Sequence, residues 1–239
     1  MRLVLLAPLL LALLLGVACV ATEPSNTQDI VSTIPWPDRE RAEYVLLDRD
    51  GQQERGQGIL TINLTEDGRY SLALHFENDT ATDDSTVVVD AATLKPVSVR
   101  HEFSGTQNAV IEGEYDAVED VVRITETQDG EEPRTVPHRL KDHYYDNDSS
   151  LFIWRTVAFE EGYKANYRTV LTNQGSQRVV TLRVVRKEDV TVPAGTFHAW
   201  RVEMTSGELR QIAWYADTPA RPLVQYDNSR QLFQLTSIE

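Results

Sequence analysis

Val190-Thr-Val-Pro-Ala-Gly-Thr-Phe-His-Ala-Trp-Arg-Val-Glu-Met204 is followed by Ile212-Ala-Trp-Tyr-Ala-Asp-Thr-Pro-Ala-Arg-Pro-Leu-Val-Gln-Tyr226 and by Leu232 to Glu239. In the first segment Pro193-Ala-Gly-Thr196 carries turn chemistry, with Pro fixing φ and Gly supplying a positive φ, between runs rich in β-branched and aromatic residues. That grammar predicts a hairpin. Past the turn, His198, Trp200, Val202 and Met204 share one face of a period-2 pattern, and Phe197, Ala199, Arg201 and Glu203 the other. The first face is expected to be covered, which makes His198 a satisfied core histidine. Ile212 and Trp214 continue the logic in the next strand, and Asp217–Pro222 turns the chain back into Leu223–Tyr226.

Immediately upstream, Gln177–Arg186 reads as a strand with Val180, Leu182 and Val184 on one face, preceded by a strand at Tyr167–Leu171. Before these lies Asp146-Asn-Asp-Ser-Ser150, a cluster of helix-capping residues, and then the apolar run Leu151–Phe159. As a short helix the run would put Leu151, Trp154 and Ala158 on one face, with its cap at Asp148 or Ser149. A buried strand is the rival, because Phe, Ile, Trp and Val are all β formers. Arg155, inside this apolar run, must either snorkel to the rim or meet a carboxylate.

The order of these motifs resembles the C-terminal part of the bacterial DUF3108 family: Val192–Phe197, Trp214-Tyr215-Ala216, Arg221-Pro222 and the closing Leu235–Glu239. Ser149–Gly162 is similar to that family's single short helix and the polar turn after it. The resemblance is strongest over about residues 143–239 and is carried by strand pattern alone over 43–142. It implies a helix at Leu151–Phe159, and it implies fold and compartment rather than chemistry.

The N-terminal half repeats the strand grammar. Tyr44–Leu47 leads into the turn Asp48-Arg-Asp-Gly51, whose acids lack calcium-loop spacing, since Gln52 and Ile59 stand where ligands would be needed. Leu60, Ile62 and Leu64 alternate with polar residues, Glu66–Arg69 turns, and Tyr70, Leu72, Leu74 and Phe76 alternate back. Asn78–Ser85 is expected as an acidic loop, with Asp79, Asp83 and Asp84 at its tip. Further strands are expected at Thr86–Asp90, Val97–Phe103, Ala109–Tyr115 and Val121–Glu126. Val88–Val97 echoes Trp214–Leu223 at a spacing of 126 residues, each pairing a strand with a polar turn, a basic-Pro dipeptide and another strand. The whole predicts an all-β, mainly antiparallel domain over 43–239: a strongly curved sheet or open barrel of two similar lobes with one short helix packed in or across its concave side.

Met1–Ala18 has an early cation, Arg2, an uninterrupted apolar run from Leu3 to Leu15 and small residues before Cys19, as in a secretory signal peptide. A membrane-spanning helix needs about 20 apolar residues, so this run falls short of a permanent anchor. Cys19 is the chain's single cysteine, and its position resembles a lipobox, whose cysteine becomes the acylated first mature residue. Gly16 departs from the Leu usual at that place, and ordinary cleavage near Ala18 or Ala21 is the alternative. Residues 20–42, rich in Pro, Ser, Asn and Asp, read as a flexible linker, with Trp36 a candidate for tucking against the body.

With 37 acidic and 23 basic residues the formal charge is −14, which argues against nucleic acid or anionic lipid surfaces as partners of the folded body. The five histidines are scattered with no zinc spacing, and no Gly-x-Ser-x-Gly, phosphate loop or dinucleotide fingerprint occurs. No catalytic, metal or cofactor residues are therefore assigned. Tyr144 in His143-Tyr-Tyr-Asp146, with Trp154 and Arg155, are the candidate ligand-contacting residues. The expectation is a non-enzymatic protein of the bacterial envelope, exported and lipid-anchored at Cys19, binding an apolar or glycan ligand in its concavity. A scaffold contacting other envelope proteins is the second reading and a hydrolase the third. A deep apolar cavity would favour the first, a concavity plugged by Trp154 and Phe152 the second.

Overall fold

The computed structural model describes residues 26–106 and 108–239; the expected signal peptide and Cys19 lie outside the described residues. Period-2 sequence becomes strand almost throughout, 62% of the described residues, against 6% helical. Eight strands form a meander in the first half: β1 (Arg39–Asp48), β2 (Glu54–Leu64), β3 (Arg69–Asn78), β4 (Ala81–Asp90), β5 (Pro96–Ser104), β6 (Ala109–Asp116), β7 (Val121–Gln128) and β8 (Arg134–Arg139). Seven follow: β9 (Tyr144–Asp146), β10 (Lys164–Leu171), β11 (Ser176–Val192), β12 (Gly195–Ser206), β13 (Leu209–Ala216), β14 (Leu223–Asp227) and β15 (Gln231–Ile238).

All fifteen belong to one sheet in which β15 pairs with β1 at the centre. One arm runs outward from β1 to β8 and the other from β15 back to β9. Every pairing is antiparallel except β9 with β10. The sheet does not close into a barrel. Its arms nevertheless curl until their ends meet: Gln177 on β11 donates from Nε2 to the Arg139 carbonyl (2.6 Å) and accepts from the Lys141 amide (3.1 Å). A small apolar cluster of Ile111, Val122, Ile124, Leu140, Tyr144 and Val170 seals that junction.

Between the arms sits the helical segment. It consists of a 3-10 turn at Asn147–Ser149, a helix α1 (Ser150–Ile153) and a second 3-10 turn at Trp154–Thr156. It therefore starts earlier than the sequence suggests. Asp146 rather than Asp148 or Ser149 supplies the cap, accepting the Asp148 amide at 2.8 Å. Leu151 through Val157 are all buried, not one face of them, because the sheet wraps the segment on one side and residues 26–38 cover the other. Those N-terminal residues were expected as linker, and they form a docked strap instead. Ile30 and Trp36 are buried, the Gln28 amide donates to the Asn166 carbonyl, and the Ser32 and Thr33 amides both donate to the Thr156 carbonyl.

The leading hairpin is a two-residue turn, Pro193-Ala194, with Val192 opposite Gly195 at φ +133°. The face expected for His198 is not observed. A bulge between Val184 and Arg186 of β11 resets the pairing, so Ala199, Val202 and Met204 are buried and His198 is exposed against Asp189. A second correction concerns Asn78–Ser85. β4 already begins at Ala81, so Asp83 and Asp84 are strand residues facing Phe76 and His75, not loop-tip acids. The internal echo has a geometric counterpart: β4 to β5 and β13 to β14 each carry a bulge at the corresponding place, between Val88 and Val89 and between Trp214 and Tyr215.

Candidate functional site

The plug does not fill the concave side evenly. Beside it, between β3–β5 of one arm and β14–β15 of the other, an open groove of about 610 Å³ remains. Its apolar base is a run of aromatic rings held by strand register. Phe76 meets Phe233 edge-on at 5.2 Å between centroids, Phe233 lies 5.3 Å from Tyr226, and Tyr226 lies 6.3 Å from Trp154 of the plug. Gly58 on β2 permits this packing, since a Cβ there would sit 2.8 Å from the Phe76 ring.

One wall of the groove is charged and rigid. In the β4–β5 pair, Asp83 lies opposite Phe103 and Ser85 opposite His101, which places all four on the inner face. His101 is buried and stacked on Phe103 at 4.2 Å. Its Nε2 lies 2.7 Å from Asp83 Oδ1. Its Nδ1 lies 2.9 Å from Asp148 Oδ2 of the plug, an ion-pair distance without a directed hydrogen bond. Burial works against the charged ring, yet the two carboxylates outweigh it and raise the His101 pKa to about 10. Behind Asp148, the fully buried Asp146 accepts a hydrogen bond from the Tyr115 hydroxyl. Burial and the neighbouring charge of Asp148 push the Asp146 carboxyl up. His101 thus ties the N-terminal arm to the plug, and Tyr115 repeats the tie one strand further out.

The three candidate ligand-contacting residues are not brought together. Trp154 borders the groove and also a smaller cavity of about 120 Å³ on its far side, and its Nε1 donates to the Tyr167 hydroxyl at 2.7 Å. Arg155 faces away and meets a carboxylate: it forks onto Glu40 at 2.6 and 2.7 Å, donates from Nε to the Ala220 carbonyl at 2.7 Å and faces the Trp36 ring at 5.6 Å. Tyr144 is buried in β9 beneath the Lys95 ammonium, stacked on Tyr115 at 6.0 Å. Sequence reasoning missed His101, Asp83 and the rings of β3, β14 and β15. A signal for the first two exists, because the buried phase of Val87 and Val89 extends back to Ser85 and Asp83, and that of Val99 extends forward to His101.

The model of the family described as "Protein of unknown function (DUF3108)" matches residues 51–227, most of the chain. This chain belongs to the DUF3108 family. The DUF3108 match takes in the plug and the Asp83–His101 wall, while Phe233 on the opposite wall lies beyond it. No curated protein matches the chain. The solved structures to which the chain is similar include two crystal structures. One is "a putative exported protein with YmcC-like fold" from Bacteroides fragilis, 11% identical, with a TM-score of 0.32 over 87% of this chain and 99% of that one. The other is "a putative lipoprotein" from Parabacteroides distasonis, 11% identical, with a TM-score of 0.33 over 89% and 100%.

Proposed function

We propose that this DUF3108 protein is an exported, non-enzymatic protein of the bacterial envelope, held to a membrane by a lipid on Cys19, that binds a ligand in the groove beside the plug. The groove itself carries this reading: a ring-lined floor, open on one side, in the size range of small-molecule sites, about 300–1,000 Å³. The apolar leader ending in small residues before Cys19 supports the compartment. A carrier that swallows its ligand is disfavoured, because Trp154 and Phe152 occupy the space it would need. The non-enzymatic reading draws support from His101, which holds its proton to about 10 and so is a poor base near neutral pH. A scaffold that contacts other envelope proteins through its acidic surface is the second reading, and the filled interior favours it.

Native mass spectrometry of the full-length protein taken from its own membrane tests both parts. The expected spectrum carries an acyl mass on a chain beginning at Cys19 and a second, displaceable mass from a bound ligand. A processed Cys19→Ser protein that stays in the membrane fraction contradicts the anchor, and a ligand-free native spectrum favours the scaffold.

A further inference from the structure

Each part of the groove restricts the charge of what can enter it. None of the described residues that line it is Lys or Arg. Its single positive charge, on His101, is already matched by Asp83 and Asp148, and Glu77 adds a further carboxylate on the β3 side. The chain as a whole carries −14. A carboxylate or phosphate entering this space would lose its water without meeting a free cation, and would do so inside a negative field.

The rim is nevertheless strongly polar, and beside its carboxylates that polarity is uncharged, from hydroxyls such as those of Thr82, Ser104 and Thr106 and from amides. Asn78 and Asn228 commit their side-chain oxygens to their own turns, Asn78 accepting from the Thr80 and Ala81 amides and Asn228 from those of Arg230 and Gln231. Among the described residues neither of their NH2 groups has a protein partner, so both are left as donors at the groove. Gln231 and Asn173 add amides able both to donate and to accept. Hydroxyl groups, each a donor and an acceptor, match this rim. An uncharged lipid would leave it unpaired at a cost in affinity. Beneath the rim, the partly buried Phe76 ring, backed by the buried rings of Phe233, Tyr226 and Trp154, offers an apolar floor to the C–H face of a sugar ring.

Resting on the groove reading above, we propose that the ligand is a neutral oligosaccharide, and that the groove rejects acidic sugars and fatty acids by giving their anions no cation. Isothermal titration of the mature protein with four probes tests this: the tetramers of glucose and of N-acetylglucosamine, tetragalacturonate, and oleate. A neutral tetramer should bind at least about tenfold more tightly than tetragalacturonate, which corresponds to about 1.4 kcal/mol, and oleate should not saturate. Gln231→Lys, which adds the missing cation at the rim, should narrow that gap by strengthening tetragalacturonate. If an anionic probe binds the native protein as tightly as the neutral ones, and Gln231→Lys strengthens it further, the groove is a binding site but its neutral selectivity is wrong. If no probe binds, or if neutral binding ignores both Gln231→Lys and Phe76→Ala, the groove reading falls together with the selectivity.

Discussion

His101 is the residue at which charge, packing and topology meet. A histidine whose folded pKa of about 10 exceeds its ordinary 6.5 takes up its proton more readily in the folded than in the unfolded chain. Its contribution to stability is therefore complete below 6.5 and is lost as the pH climbs toward 10. The lifted Asp146 carboxyl acts in the same direction. The unfolding free energy from urea titrations between pH 6.5 and about 10 should fall for the native protein by up to about 1.4 kcal/mol per pH unit on account of this one group, and fall less for His101→Gln. Parallel profiles for the two proteins would mean that the carboxylates do not hold the ring charged. Sequence alone could not assign this role, since Asp83 and Asp148 stand 18 and 47 positions away and only strand register and the plug bring them to the ring. Arg155 was only half legible: a guanidinium in an apolar run demands a carboxylate or water, but which of the two is not written locally, and it found Glu40 rather than the rim or a ligand.

At the level of elements, the hairpins were readable because turn chemistry and period-2 alternation are local. The β2–β3 pair sits in the register its pattern implies, with Leu64 opposite Tyr70. What was not readable is where the pattern is reset, as at the β11 bulge that turns His198 outward. The Pro193-Ala194 turn rests on Gly195, whose φ of +133° a β-branched side chain resists. Gly195→Val should therefore cost on the order of 1–3 kcal/mol through strain alone, since the nearest side chain to a new Cβ is 3.9 Å away. A midpoint equal to that of the native protein would remove Gly195 from the turn. The plug carries more. Trp154 is fully enclosed and anchored to Tyr167, so Trp154→Ala should cost about 3–5 kcal/mol in calorimetric or urea unfolding. A loss under about 1 kcal/mol would show the segment to be a loosely held lid, because loss of a packed indole is among the larger single-residue effects.

For the whole molecule, the antiparallel class and most of the strands follow from pattern, but the short strands β8 and β9, the joining of β1 to β15 at the centre and the curling of both arms onto one short segment do not. Those depend on contacts between residues nearly the full chain apart, such as Ala42 with Ile238. The same curling explains why the 26–38 strap reads as linker: its Ser, Thr and Gln residues lack a pattern of their own, and only the carbonyls of Thr156 and Asn166 give their amides partners. The resulting shape, filled on its axis and open along one side, is the central claim, because it moves any ligand from the interior to the groove. Nitrogen-15 NMR of the mature protein titrated with the N-acetylglucosamine tetramer tests that claim most directly. The account predicts saturable shifts at the side-chain amides of Asn78, Asn228 and Gln231 and at the Trp154 indole, with the Ile30–Trp36 strap unmoved. Shifts gathered on the strap or on the outer acidic surface, or none at any tetramer concentration, would contradict it.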